Sequence, residues 1–197
     1  MKIFALILAA GFSGRMNLFK PTLQINGKSL IYLIAEKLSA VCEKVFVVTG
    51  YKKELIEAEV KGLNKVICIY NKKYEKGMFT SLKKGLESVT DSDWVIYHFV
   101  DQPSLPLKFY EDFLQQIQKN FNWIQPSFKN IKGHPILLSK EIFDLVCKED
   151  DTSSLKVVSK NSNVSKLIWE CDYPEILEDI DTQEDFKRII NLKEQIS

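Results

Sequence analysis

The chain alternates short, continuously apolar runs with amphipathic stretches of helical length, and this alternation restricts its fold more than any other feature. Segments 3–8, 45–49, 66–70 and 94–100 are rich in β-branched and aromatic residues. Runs that are apolar on both faces suit strands buried between helix layers in a parallel sheet. Between them lie the helical candidates 29–41, 53–60, 80–88 and 107–119. In the first of these, Leu30, Leu33, Ile34, Leu38 and Val41 recur at i, i+3 and i+4 spacing, which builds one apolar stripe. Strand–helix–strand repeats of this length imply right-handed crossovers and a three-layer α/β/α sandwich, Rossmann-like with a mostly parallel sheet. The second half is less regular. Segments 123–126, 134–138 and 166–171 read as strands, and 140–147 and 153–159 as helices. A closing helix is expected near Thr182, whose hydroxyl can cap it, with Asp185 three residues on.

A length of 197 residues suits one core, and the expectation is a single domain over 1–197, since no linker or internal repeat interrupts it. The net charge is +1, and arginine occurs only as Arg15 and Arg188, with no basic block. That excludes general nucleic-acid binding, which needs a clustered phosphate-neutralising surface. Cys42, Cys68, Cys147 and Cys171 form no C-x-x-C pair and have no histidine nearby, so neither a structural zinc nor a disulfide framework is expected. Reduced thiols fit a cytoplasmic protein. The first fifteen residues imitate a secretory signal, with Lys2 followed by an apolar run and small residues. The run is too short to span a membrane, and its loss would remove the most strand-like segment of the chain. It is read as the first strand, and no membrane association is expected.

Leu8-Ala9-Ala10-Gly11-Phe12-Ser13-Gly14-Arg15-Met16 leads from that strand into a small-residue loop. Gly11 and Gly14 permit backbone conformations closed to other residues, and the amides of such a loop make an anion-binding concavity. Arg15 and Lys20 would add a planar fork and a point charge for phosphate. The loop is neither a G-x-G-x-x-G nor a P-loop, and a tight turn with two solvated cations is the alternative. Asp101 ends the run 94–100, at the strand edge where ligands of open α/β sheets gather. Asp181, with Asp179 as alternative, could bring a second carboxylate to that edge. Two carboxylates completed by phosphate oxygens and waters suit Mg²⁺; turn and cap roles are the alternatives. Gly77 permits a close turn before a helix, where Thr80 and Ser81 could cap or reach a ribose or base. Of the two histidines, His98 lies inside a strand pattern and reads as structural, while His134 stands in Gly133-His134-Pro135. Lys72, Lys73 and Lys76 read as a solvated face.

Five pieces, in this order, carry a family resemblance: the Leu8–Met16 loop with its following lysine, Asn71 with Tyr74-Glu75-Lys76-Gly77-Met78-Phe79-Thr80-Ser81, Asp101-Gln102-Pro103, Gly133-His134-Pro135, and Asp179-Ile180-Asp181-Thr182. Together they resemble the nucleotidyltransferases that build molybdopterin dinucleotides. Ala9-Ala10-Gly11 looks more like the CTP-dependent branch than the GTP-dependent one, which usually carries a second glycine. The resemblance implies the nucleotide-diphospho-sugar transferase fold, with a nucleotide-binding half near 1–105 and an acceptor half near 106–197. It implies transfer of NMP from an NTP, CTP over GTP, to a phosphate-bearing acceptor such as molybdopterin, with release of pyrophosphate. Mg²⁺ would lie on Asp101 and Asp181, Lys20 on the α-phosphate and Arg15 on the leaving phosphates. Leu8, Ala9, Ala10 and Gly11 would meet the base, Ser13, Gly14, Gly77, Thr80 and Ser81 would complete the nucleotide site, and His134 would face the acceptor. A sugar-phosphate acceptor on the same fold, or a non-catalytic nucleotide-binding partner of a molybdoenzyme, are the other readings. The chain departs from the family pattern at Asn17 and Val100, where glycine is usual. It departs again at Glu149-Asp150-Asp151-Thr152-Ser153-Ser154, where an acidic–glycine–alanine–arginine stretch is expected on the acceptor side.

Overall fold

The computed structural model of the chain describes residues 1–12 and 18–194. The four expected strands of the first half form as β1 (Ile3–Leu8), β4 (Lys44–Thr49), β5 (Val66–Tyr70) and β6 (Trp94–Phe99). They are mutually parallel: β1 pairs with β4 and β6, and β4 pairs with β5. Helices α1 (Leu30–Val41), α2 (Lys53–Val60) and α3 (Met78–Leu86) lie between them in sequence, and α4 (Leu107–Leu114) follows β6. The remaining sheet strands are β7 (Trp123–Phe128), β8 (Ile131–Lys132), β9 (Ile136–Ser139) and β10 (Lys166–Glu170). The order is β10-β7-β9-β6-β1-β4-β5, with β8 paired to β7. The sheet is mixed because β9 runs antiparallel to both neighbours.

Period-two alternation explains the layers. In β1, Ala5 and Ile7 face a cluster with Ile31, Ile34 and Leu38 of α1, Ile56 of α2 and Phe109 and Phe113 of α4. Phe4, Leu6 and Leu8 face the opposite cluster, with Leu82 and Leu86 of α3 and Ile142 and Val146 of α5 (Lys140–Lys148). A strand apolar at every position therefore serves two cores at once. This is the three-layer, mostly parallel α/β/α sandwich expected from the sequence. Among the described residues, no helix is long and apolar enough to cross a membrane.

Several boundaries differ from expectation, among them α3, which starts and ends two residues earlier, and β7, which runs two residues longer. The helix expected over 107–119 stops at Leu114, because Gln116 and Ile117 donate to Phe113 and Leu114 in tighter turns that lead the chain towards β7. The strand expected from 134 begins at Ile136. The His134–Pro135 peptide is cis, Pro135 has no N–H for a ladder, and the His134 amide donates to Ile176 O instead. The helix expected over 153–159 shortens to α6 (Leu155–Val158), capped by the Ser154 hydroxyl. The hairpin of β2 (Gln24–Ile25) and β3 (Lys28–Ser29) was missed, although Asn26-Gly27 at its tip, both at positive φ, is a hairpin signal. Its Ile25 packs with Leu30, Ile180 and Ile189, which seats the closing helix α7 (Gln183–Glu194). The expected cap of that helix forms reciprocally. The Asp185 amide donates to Thr182 Oγ1 and the Thr182 amide donates to the Asp185 carboxylate.

Candidate active site

Because β1, β4, β5 and β6 run in one direction, their carboxyl ends share one edge of the sheet. A cleft of 330 Å³ opens there, lined by residues 8–12 after β1, Lys20, Tyr74, Ser81 and Asp101 among others. Its floor is fixed by main-chain bonds: the Ala9 amide donates to Val48 O at 3.0 Å, and the Tyr51 amide donates to Ala10 O at 3.2 Å. Gly50 sits where these segments converge. A Cβ there would lie 2.6 Å from the Tyr74 Cβ and 2.8 Å from Ala10 O, so only glycine lets the three chains meet. Phe12 packs against Tyr51 and Tyr74, tying the glycine loop to the segments after β4 and β5. Ser13, Gly14 and Arg15, expected at this edge from the sequence, lie outside the described residues.

Lys20 opens a short 3₁₀ turn (Lys20–Thr22), and only 8% of it is exposed. Its Nζ lies 2.8 Å from Asp181 Oδ1 and 3.4 Å from Asp101 Oδ2. Three residues separated by up to 161 positions thus meet at one cation position. Asp101 is delivered by the turn after β6; Asp181 is delivered because the Ile180 amide donates to Asp101 O at 2.9 Å. Burial pushes the Asp101 carboxyl above its ordinary range, Lys20 opposes that, and the like charge of Asp181 adds to it. Asp179 is raised chiefly by burial and then by Asp101, while a hydrogen bond from Gln102 pulls it down. Asp181, not Asp179, is the carboxylate bonded to Lys20. Two carboxylates converging on one cation are hard oxygen donors of the kind Mg²⁺ takes. Among the described residues no cluster of three or more His, Cys, Asp or Glu side chains could hold a metal, so substrate oxygens and water would have to complete an octahedron. The residues present fit such an ion.

Gly77 adopts φ 113°, a conformation that favours glycine, at the start of α3. The Thr80 hydroxyl is engaged within the protein: it donates towards Gly77 O at 2.8 Å and accepts from Asn71 Nδ2 at 3.0 Å. Asn71 Nδ2 also lies 3.0 Å from Ser81 Oγ, and Asn71 Oδ1 accepts from the Lys73 amide. Asn71 therefore braces the segment after β5 against α3, while Ser81 lines the cleft. Lys73 is exposed, as expected, and pairs with Asp151 at 2.9 Å, while Lys83 pairs with the same carboxylate at 3.2 Å. This draws the segment that departs from the family pattern up to α3. There Thr152, Ser153 and Ser154 line a groove of 230 Å³ that shares Gly77 and Met78 with the main cleft.

The His134 ring lies 4.7 Å from that of Phe99, at the end of β6, and burial lowers its pKa to about 4. It is neutral near neutral pH, with Nδ1 buried and unpartnered. His98 has the structural place expected of it: Nδ1 lies 2.7 Å from Phe99 O and Nε2 2.8 Å from the Tyr110 hydroxyl. Sequence reasoning missed the part played by Gln102. It is 2% exposed, and its Nε2 donates to Ile176 O at 3.4 Å, which steadies the stretch leading to Asp181. A polar residue between Asp101 and Pro103 was the available signal.

Comparison with known proteins agrees with this geometry. Residues 5–164 match the MobA-like NTP transferase domain family. The chain is 26% identical over 185 residues to a molybdenum cofactor cytidylyltransferase of Escherichia coli, covering 93% of each. It is 28% identical over 121 residues to a probable molybdenum cofactor guanylyltransferase of Synechococcus elongatus, covering 60% of each. A nucleotidyl transferase from Methanothermobacter superposes with a TM-score of 0.85 at 20% identity, over 100% of this chain and 99% of that one. With the sheet edge, the loop after β1 and the family match all in agreement, the chain belongs to the MobA-like NTP transferase family and is a nucleotidyltransferase.

Proposed function

We propose that the chain transfers CMP from CTP to a phosphate-bearing acceptor, molybdopterin first among them, with release of pyrophosphate. The observation that carries this reading is the meeting of Lys20, Asp101 and Asp181 beside the loop that ends β1. Asp101 and Asp181 would hold Mg²⁺, whose contribution is to neutralise charge on the phosphate oxygens. Lys20 would turn from the carboxylates to the α-phosphate, where charge changes most during transfer. Arg15 would hold the β- and γ-phosphates. The main chain of Leu8, Ala9, Ala10 and Gly11 would meet the base; Gly77 and Ser81 would flank the ribose, with Ser13, Gly14 and Thr80 supporting the site. An acceptor phosphate oxygen attacks the α-phosphorus as the bridge to the β-phosphate breaks, and pyrophosphate carries away the bonding pair. That oxygen is already ionised, so no general base is required. A neutral His134 would hydrogen-bond the acceptor rather than take its proton. Catalysis is then alignment and electrostatics. The nucleotide half would lie near 1–105 and the acceptor half near 106–197 of one cytoplasmic domain, with a molybdoenzyme as recipient of the product.

The groove beside the main cleft, which Thr152, Ser153 and Ser154 help to line, supports a second reading, in which the acceptor is a hydroxylated small molecule such as a sugar phosphate. Pyrophosphate release measured with CTP, GTP, ATP and UTP, each alone, with molybdopterin and with a sugar phosphate, separates the two. The proposal expects CTP with molybdopterin to give the highest rate. CTP turnover only with a sugar phosphate moves the acceptor to the second reading, and no turnover with CTP rejects both.

A further inference from the structure

The cation position between Asp101 and Asp181 is filled by the protein itself. Lys20 Nζ bonds Asp181 Oδ1 and Asp101 Oδ2, and the side chain is held there by burial, with 10% of it exposed. Any divalent ion bound by these two residues would share the same two carboxylates with the ammonium. A free ion would therefore meet an ammonium already in contact with its ligands, within a few ångströms and in a setting where charges are poorly screened. Its gain from two carboxylates is offset by that repulsion and by its own dehydration, which for Mg²⁺ is reluctant.

We propose that Lys20 is the resident counter-cation of the two-carboxylate position, and that a divalent ion occupies it only together with a ligand whose phosphates draw Lys20 away. This rests on the nucleotidyl-transfer reading for the identity of that ligand, a metal–triphosphate complex. The triphosphate supplies the ion and, in the same event, gives the Lys20 ammonium an anion to hold. Free metal and free nucleotide are then each poor ligands on their own. The two carboxylates are never left together without a cation, which their mutual repulsion would make costly. Lys20 thus has two stations, and the ion and the ammonium exchange over the same two carboxylates.

The test uses nucleotide-free protein and Mn²⁺ alone, with bound ion counted by loss of the free-ion electron paramagnetic resonance signal. The wild type is expected to bind weakly. Lys20→Met, which removes the ammonium and keeps the aliphatic stem, is expected to bind Mn²⁺ at least about tenfold more tightly, a difference of about 1.4 kcal/mol. Lys20→Arg keeps the charge and is expected to gain nothing. Adding Asp101→Asn to Lys20→Met is expected to abolish the gain, which ties it to this position. Lys20→Gln serves in the same comparison if the methionine variant loses its near-ultraviolet circular dichroism. Wild type that binds free Mn²⁺ as tightly as Lys20→Met, or a gain that survives Asp101→Asn, overturns the proposal. Because no turnover is measured, failure of the nucleotidyl-transfer reading would appear separately, as absent pyrophosphate release.

Discussion

At the scale of single residues, the site depends on which carboxylate stands beside Lys20. Asp181 makes the 2.8 Å contact, whereas Asp179 is turned to Gln102. Asp181→Asn is therefore expected to lower turnover about a hundredfold or more, the scale on which a preorganised charge-stabilising group acts. Asp179→Asn is expected to lower it far less, and steady-state kinetics in Mg²⁺ would reverse the assignment if the order came out the other way. Both histidines make a pH prediction. Burial lowers His98 to about 3 and His134 to about 4, while an unfolded histidine titrates near 6.5. Above that value both states are neutral and stability is complete. As pH falls below about 6.5 the unfolded chain takes up protons that the folded chain refuses, so stability is lost on acidification towards the folded values. The thermal midpoint should fall between pH 7 and pH 5. His98→Phe, which abandons the Tyr110 hydroxyl, should start lower and fall less, and an equal fall in both proteins would contradict this.

At the scale of elements, the cleft exists because three strand ends release their chains within contact distance of one glycine. Gly50→Ala forces a methyl against the Tyr74 stem and Ala10 O. Such overfilling is expected to cost about 1–3 kcal/mol and, because those two segments are the cleft walls, to weaken CTP binding as well. Chemical denaturation together with nucleotide titration would show both effects; unchanged nucleotide affinity would separate the wall from the site. β1, β4 and β6 were legible in the sequence because each is buried on both faces and so carries no polar alternation. The edge strand β5 was legible from its apolar run, although Ile67 and Tyr70 are exposed. α1 was legible from its stripe and α7 from Thr182 and Asp185, since both signals are local. The end of α4 was not, because the pattern of apolar residues continues past the point where the chain must turn towards β7.

At the scale of the whole molecule, nucleotide choice is expected to follow from how tightly the loop after β1 is packed. Ala10 is 4% exposed and its carbonyl is bonded to Tyr51, so its methyl occupies fixed space at the cleft. One methyl in a packed site can discriminate by about 1–3 kcal/mol, which favours a pyrimidine over guanine. In Mg²⁺, CTP is expected to raise the thermal midpoint more than GTP, since a ligand that binds only the native state stabilises it. Ala10→Gly should narrow the gap without reversing it. A larger shift with GTP in the unaltered protein would reject the preference. The sequence by itself determined the layered α/β class, the glycine loop and the strand edge that holds Asp101, because hydrophobic period, turn chemistry and motif order act over a few neighbouring residues. The antiparallel β9, the contact of Asp181 with Lys20, the Asn71 brace and the Lys73–Asp151 pair were decided only by tertiary structure. Each depends on which distant segments the packed sheet and its two cores bring within hydrogen-bonding distance, and no local pattern encodes that distance.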